Sequence, residues 1–311
     1  MKPLIEVTQL TKAYDKKEVL HGITFEIKQG EILCLLGPNG AAKSTTINML
    51  CGSLSFDQGK ILYKGQSIQQ QKKAFKAELG MVPQDLAIYE DLSAEQNVRF
   101  FASLYGLKGE ALKEGINFAL ESVGLLEHRK EKARTFSGGM KRRLNIACAI
   151  AHHPTLLIMD EPTVGIDPQS RNHILQSIRK MQTAGMTILY TTHYMEEVEE
   201  ISTRIIIMDH GSIIAEGTKE ELKGKNQERK ILVELENPHA QTFDDFYQIE
   251  GIKDISLSQN NLTITAIKGI ENLDHIIQSL LQRKEKIQNI AIQTDNLETV
   301  FLDLTGRSLR D

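Results

Sequence analysis

Nine consecutive residues, Gly37-Pro38-Asn39-Gly40-Ala41-Ala42-Lys43-Ser44-Thr45, have the makeup of a turn that grips phosphate. Such a turn points successive backbone N–H groups inward, and the helix that follows adds the positive end of its dipole. In that geometry the Lys43 ammonium reaches the β- and γ-phosphates of a nucleotide, and the Ser44 hydroxyl ligates Mg2+. The standard pattern has glycine immediately before the lysine, where this chain has Ala42. A Cβ there crowds the phosphate or opposes a glycine-only backbone angle. If the angle is left-handed, the strain is about 1–2 kcal/mol, a tenfold loss of affinity or more.

A second glycine-bearing helix start follows in Phe136-Ser137-Gly138-Gly139-Met140-Lys141-Arg142-Arg143-Leu144, where Ser137 and Gly139 are placed to face an anion. The apolar run Leu156-Leu157-Ile158-Met159 reads as a strand that delivers Asp160 and Glu161 to its exit. Asp160 is placed to hold Mg2+, often through water, and Glu161 stands where a general base or water-polarising group is needed. Gln84 follows Met81-Val82-Pro83 and His193 follows Tyr190-Thr191-Thr192. Either one alone is ordinary surface polarity; it is their order with the other strings that gives them weight.

Taken together, these strings resemble the ATP-binding cassettes of the ABC family. The string from Phe136 to Leu144 is similar to the family's signature sequence, and Leu156 to Thr163 to its Walker B strand. Gln84 resembles the Q-loop glutamine and His193 the switch histidine. Gly165-Ile166-Asp167-Pro168 resembles the D-loop, and Tyr14 sits where the family places an aromatic ring on adenine. Six motifs occur in family order between about Leu4 and Leu222. The resemblance implies a P-loop NTPase with a RecA-like core, an antiparallel β-subdomain and a helical subdomain. It implies ATP and Mg2+ as ligands, with Ser44, Gln84 and Asp160 around the metal and Glu161, His193 and Gln84 serving hydrolysis. Nucleotide contacts fall to Tyr14, Gly37, Asn39, Gly40, Ala41, Ala42, Lys43, Ser44 and Thr45. Ser137 and Gly139 of the signature act from a facing cassette, because two cassettes of this family bind two ATP molecules head to tail, and Gly138 and Asp167 are carried over as further nucleotide contacts. One phosphate loop and one signature per chain therefore call for a second cassette, most simply in a homodimer.

The signature's Met-Lys-Arg-Arg-Leu form, the Tyr194-Met195-Glu196-Glu197-Val198 run and the closing string Val300 to Arg307 resemble ABC-2-type exporters, whose cargo includes drugs, polysaccharides and lipids. The expectation is an ATPase at the cytoplasmic face of the membrane, powering a separate integral membrane permease. The cargo itself is not encoded here. Two alternatives stand beside this one. A soluble ABC ATPase acting on ribosomes or DNA usually fuses two cassettes or carries a coiled-coil insertion, and neither is in the sequence. A nucleotide-impaired binding subunit follows if Ala42 is damaging, although Glu161 and His193 are intact.

The elements that position these residues can be read from apolar periodicity. Ile32 to Leu36 is a continuous apolar run, as in a strand buried on both faces, and Ser44 to Leu50 reads as the helix after the phosphate loop. Short strands are expected at Ile5–Val7, Thr24–Ile27, Thr187–Tyr190 and Ile205–Ile207. Ser93 with Gln96 predicts a capping box, and a further helix is expected at Glu110–Val123. Asp167-Pro168 predicts an N-cap with a first-turn proline. Apolar strands alternating with helices argue for a largely parallel sheet. The polar stretch Lys219 to Lys230 reads as a linker, dividing a cassette over 1–224 from an accessory domain over 225–311. Beyond it the pattern predicts a small α+β domain of split-βαβ type, with its first helix at Thr242–Ile249.

Bulk properties agree. The 311 residues are 41% hydrophobic and 25% charged with a net charge of −4, a balance that disfavours a nucleic-acid partner bound by bulk positive charge. Cys34, Cys51 and Cys148 are far apart, each in an apolar run, and read as buried reduced thiols. No signal-peptide pattern opens the chain, and no apolar run approaches the ~20 residues that span a bilayer.

Overall fold

The computed structural model describes residues 3–15, 17–224, 228–238, 242–293 and 297–305. Residues 225–227 of the expected linker, and Gly306 and Arg307 of the exporter-like closing string, lie outside the described residues. The chain forms two units. One holds Met1–Lys219 and the residues from Leu304 on, the other Glu220–Asp303.

Among the described residues, ten strands build the first unit. In chain order they are β1 (Pro3–Tyr14), β2 (Lys17–Lys28), β3 (Ile32–Leu36), β4 (Gln58–Tyr63), β5 (Gln66–Ser67), β6 (Leu79–Val82), β7 (Leu156–Asp160), β8 (Thr187–Thr192), β9 (Arg204–Asp209) and β10 (Ser212–Gly217). They make an antiparallel sheet in the order β2-β1-β4-β5 and a six-stranded sheet in the order β10-β9-β3-β8-β7-β6. The second sheet is parallel apart from its edge strand β10. All five residues of β3 and of β7 are buried, which explains their unbroken apolar character. Apolar residues of both sheets, with Ile47, Met49 and Leu50 of the helix after the phosphate loop, share one core.

The helices are α1 (Lys43–Leu50), α2 (Lys72–Ala77), α3 (Ala94–Leu104), α4 (Gly109–Ser122), α5 (Gly138–Ile150), α6 (Pro168–Thr183), α7 (Met195–Ile201) and α8 (Lys219–Gly224). Helices α3, α4 and α5 pack on one another as a helical subdomain. Ser93 and Gln96 form the expected reciprocal capping box on α3, and Asp167 caps α6 with Pro168 in its first turn.

The parallel arrangement does the positioning. Leu36 pairs with Thr192, Asp160 with Thr191 and Val82 with Met159, so β3, β8, β7 and β6 end along one edge. The chain leaves that edge into Gly37, His193, Glu161 and Gln84, four points far apart in sequence. Ligands of open α/β sheets bind at this carboxyl edge.

In the second unit β11 (Glu228–Leu235), β12 (Ile252–Ser258), β13 (Asn261–Ile267) and β14 (Ile287–Gln293) form an antiparallel sheet in the order β12-β13-β11-β14. This is the strand order a split-βαβ unit requires. Helix α9 (Leu273–Gln282), α10 (Leu297–Thr305) up to Asp303 and α8 from Glu220 on also fall in this unit. Ile231, Val233 and Leu235 face its core with Phe246, Ile264, Ile276 and Leu280.

Three expectations are corrected. The helix expected at Thr242–Ile249 is a single 3-10 turn over Asp244–Gln248 without a side-chain cap, too short for a helical ladder to propagate. The short strands at Ile5–Val7 and Thr24–Ile27 are the inner parts of two twelve-residue strands. Their pairing shifts register between Val7 and Leu10, around Gln9 in a left-handed conformation, and a bulge of this kind breaks the alternation that marks a strand. The stretch read as a linker carries α8 and the start of β11.

Candidate functional site: a phosphate cradle at the edge of the parallel sheet

The turn after β3 is shaped by backbone constraints. A Cβ on Gly37 would lie 2.4 Å from the Met208 carbonyl oxygen, so only glycine passes there. Gly40 has φ +84°, and Ala42, the N-cap of α1, has φ 73° and ψ 22°. Ala42 thus occupies the left-handed region in which an L-residue other than glycine is strained by about 1–2 kcal/mol.

Lys43 is buried, and its Nζ donates to the carbonyls of Gly37 at 2.7 Å and Pro38 at 3.1 Å. It also lies 3.2 Å from Glu161 Oε1. Burial lowers its pKa, and the neighbouring Glu161 and Asp160 carboxylates oppose that shift. On its other side, Glu161 Oε2 stands 3.2 Å from His193 Nδ1, close enough to pair but not aligned as a hydrogen bond. Glu161 is itself in a left-handed conformation, φ 44°. Two strained non-glycine residues therefore face one cavity, as is common where geometry serves a site.

Asp160 ends β7 and is held by two hydroxyls: Thr191 Oγ1 donates to its Oδ1 at 2.8 Å, and Ser44 Oγ donates to the same atom at 3.3 Å. Thr191 Oγ1 also accepts from the Glu161 amide at 3.0 Å. The Ser44 hydroxyl and Asp160 carboxylate are hard oxygen donors lying side by side. Among the described residues no cluster of three or more His, Cys, Asp or Glu is placed to cage a metal. One carboxylate and one hydroxyl, with oxygens from a phosphate and water, is the donor set that suits Mg2+.

The cavity, about 260 Å³, is lined by Asn39 through Thr45, Gln84, Glu161 and Val19. Gln84 is held through its backbone: the Arg142 guanidinium donates to the carbonyls of Pro83 at 3.0 Å and Gln84 at 2.6 Å.

The remaining expected residues do not line this cavity. Ser137 caps α5, accepting from the Met140 amide at 3.2 Å. Gly138 has open space where a Cβ would stand, whereas a Cβ on Gly139 would meet Ser170 Oγ at 2.1 Å. The close approach of α6 is therefore a second reason for glycine at 139. Asp167 accepts from the Ser170 amide at 2.9 Å, a bond that lowers its pKa. Tyr14 is 47% exposed, its ring 5.5 Å from Lys12 Nζ. Reasoning from the sequence missed Val19, Thr191 and Arg142. Val19 and Thr191 carry no motif signal, and Arg142 sits inside the signature string as one of several basic residues. Cys34, Cys51 and Cys148 are free and buried, and burial pushes their thiol pKa values upward.

Comparison with known proteins identifies the family. A family model described as ABC transporter matches residues 20–164. The linearmycin resistance ATP-binding protein LnrL of Bacillus subtilis (strain 168) is 42% identical over 99% of this chain and 100% of its own length. The daunorubicin resistance ATP-binding protein DrrA3 of Streptomyces coeruleorubidus is 31% identical over 98% of this chain and 97% of its own. Among solved structures, an ATP-binding subunit of an ABC transporter aligns with a TM-score of 0.64 at 30% identity, over 71% of this chain and 92% of the other. CbiO1 of Clostridium perfringens, part of the ABC transporter complex cbiONQ, gives a TM-score of 0.67 at 28% identity, over 72% and 92%. The chain belongs to the ABC transporter family, as one of its ATP-binding and ATP-hydrolysing subunits.

Proposed function

We propose that this subunit hydrolyses Mg-ATP as a homodimer to power export of a drug- or antibiotic-like compound through a separate ABC-2-type permease. The observation that carries this reading is the row Lys43–Glu161–His193 beside the phosphate cradle, with Ser137–Gly139 outside it. One chain holds a nearly complete hydrolytic site whose missing wall is a second chain's signature. Export is supported by the resistance proteins LnrL and DrrA3, which align over nearly the full chain. No described helix is long and apolar enough to cross a membrane. In this reading the subunit works at the cytoplasmic face of the membrane, held there by its permease. Residues 1–224 act as the cassette and 225–311 as an accessory domain. Nucleic acid is not a partner in this reading.

Lys43 is engaged by two carbonyls and Glu161. An incoming triphosphate competes for the ammonium, and Lys43 turns to the β- and γ-phosphates while the loop amides cradle them. Glu161 is thereby released to accept a proton from water, and His193 holds that water in line with the γ-phosphorus. Ser44 and Asp160 would hold Mg2+, with the Gln84 side-chain amide as a further donor. When bound, the ion neutralises charge on the phosphate oxygens. Tyr14 stacks on the adenine, and Ser137, Gly138, Gly139 and Asp167 of the second copy close the site.

Ala42 modifies this reading. Its left-handed conformation belongs to the folded loop, so the strain is a cost of folding. Affinity falls only through crowding of the phosphate by the Cβ. Titration of Mg-ATP into the wild type and Ala42→Gly tests this: the glycine variant binds more tightly, by less than about tenfold. Equal affinities would rule out the crowding.

A further inference from the structure

Glu197, in α7, is fully buried, and no role in the site just described has been given to it. Its carboxylate collects hydroxyl donors from both loops that bear the hydrolytic groups. Thr163, two residues after Glu161, donates to Oε1 at 2.6 Å. Thr192, immediately before His193, donates to Oε2 at 2.7 Å, and Tyr190 donates to the same oxygen at 2.9 Å. The Thr192 hydroxyl also accepts from the Tyr194 amide at 2.9 Å, so one side chain closes a turn across His193 and anchors it to Glu197. Arg171, in the first turn of α6 behind Asp167, places its Nε 3.6 Å from Oε1.

A buried carboxylate is costly unless its charge is met by donors, and three hydroxyls donate to Glu197 while the Arg171 guanidinium stands by as a countercharge. Because the carboxylate only accepts, it forces each hydroxyl to donate toward it, which fixes the direction of every bond in the cluster. The loops carrying Glu161 and His193 are thereby tied to one rigid point.

We propose that Glu197 is a positioning residue for ATP hydrolysis: it sets the separation of Glu161 and His193 without touching nucleotide, and couples both to the start of α6. Its catalytic consequence rests on the reading of Glu161 and His193 given above.

The test uses the full chain. In Glu197→Gln the amide nitrogen must oppose at least one donating hydroxyl, whichever way it is turned. Thr192→Val removes only the anchor of the His193 turn, and Thr192→Ser restores it. At saturating Mg-ATP, Glu197→Gln and Thr192→Val are expected to lower kcat about 10- to 100-fold with KM changed less than about threefold, while Thr192→Ser stays within about threefold of wild type. In a His193→Ala background Thr192→Val is expected to cost less than about twofold more. Independently of turnover, the His193 ring resonances, assigned by their loss in His193→Ala, shift in both variants of the nucleotide-free protein. Wild-type kcat in Glu197→Gln, an undiminished Thr192→Val loss in the His193→Ala background, or unshifted ring resonances would each overturn the proposal. If the wild type failed to hydrolyse Mg-ATP, that would count against the reading of the site, and the resonances alone would then decide the role of Glu197.

Discussion

Two glycine-bearing helix starts in this chain offer the same chemistry and are built in opposite ways. The start of α1 is enclosed: its lysine is buried, its cap is a strained alanine, and two carboxylates and a histidine crowd its mouth. The start of α5 is open: Ser137 caps it, and nothing lies within 4 Å of where a Cβ on Gly138 would stand. In the function proposed above, an enclosed half with the hydrolytic groups and an open half are two walls of one site, contributed by different copies.

The largest effect that sharpens this contrast belongs to the enclosed half. Glu161→Gln is expected to lower kcat about 10²- to 10⁴-fold while leaving Mg-ATP binding in place, as read by single-turnover kinetics and equilibrium binding. Loss of binding with loss of turnover would mean that Glu161 mainly holds the loop together through Lys43.

Next come the two glycines of the open half. Gly139→Ala drives a methyl into Ser170 and is expected to destabilise the protein by about 1–3 kcal/mol in denaturant titration. Gly138→Ala meets nothing within the chain and is expected to leave stability unchanged while reducing ATPase activity through the facing copy. Full activity in Gly138→Ala would break the comparison, because the open half would then face no phosphate.

Ala42→Gly comes third. Relief of the left-handed strain, partly offset by the added freedom of glycine in the unfolded chain, is expected to stabilise the fold by about 1 kcal/mol, read as a higher Tm.

The last effect lies beyond the far end of α5 and is confined to acid pH. His152 stacks on Tyr105 with ring centroids 3.5 Å apart, and its Nε2 is 3.1 Å from the Leu79 carbonyl. Burial lowers its pKa to about 4 from the ordinary 6.5. The unfolded chain therefore binds the proton first, so stability is complete above about pH 6.5 and declines as pH falls toward about 4. His152→Gln is expected to flatten that part of the stability–pH curve, and an unchanged slope would show that the ring protonates freely.

What was legible in the sequence follows the same division. The enclosed site announced itself because its backbone demands particular residues: Gly37 against the Met208 carbonyl, an apolar β7 buried on both faces, an acid pair at the strand exit. The Asp167 and Ser93 caps were readable because a short polar side chain satisfies a local amide. Thr191, Arg142 and Glu197 were not, since hydroxyls, guanidinium and carboxylate meet there only after strands distant in sequence are aligned. Tyr14 was assigned to adenine by resemblance, and here it stands outside the cavity while Val19, unremarkable in sequence, lines it.

The most direct test of the split site is the mass of the full-length Glu161→Gln protein in solution, measured by sedimentation with and without saturating Mg-ATP. The prediction is a monomer without nucleotide and a dimer with it, with dimerisation abolished when Ser137 is replaced by Arg. An unchanged monomer mass at saturating Mg-ATP, also with residue 42 restored to glycine, would contradict the account.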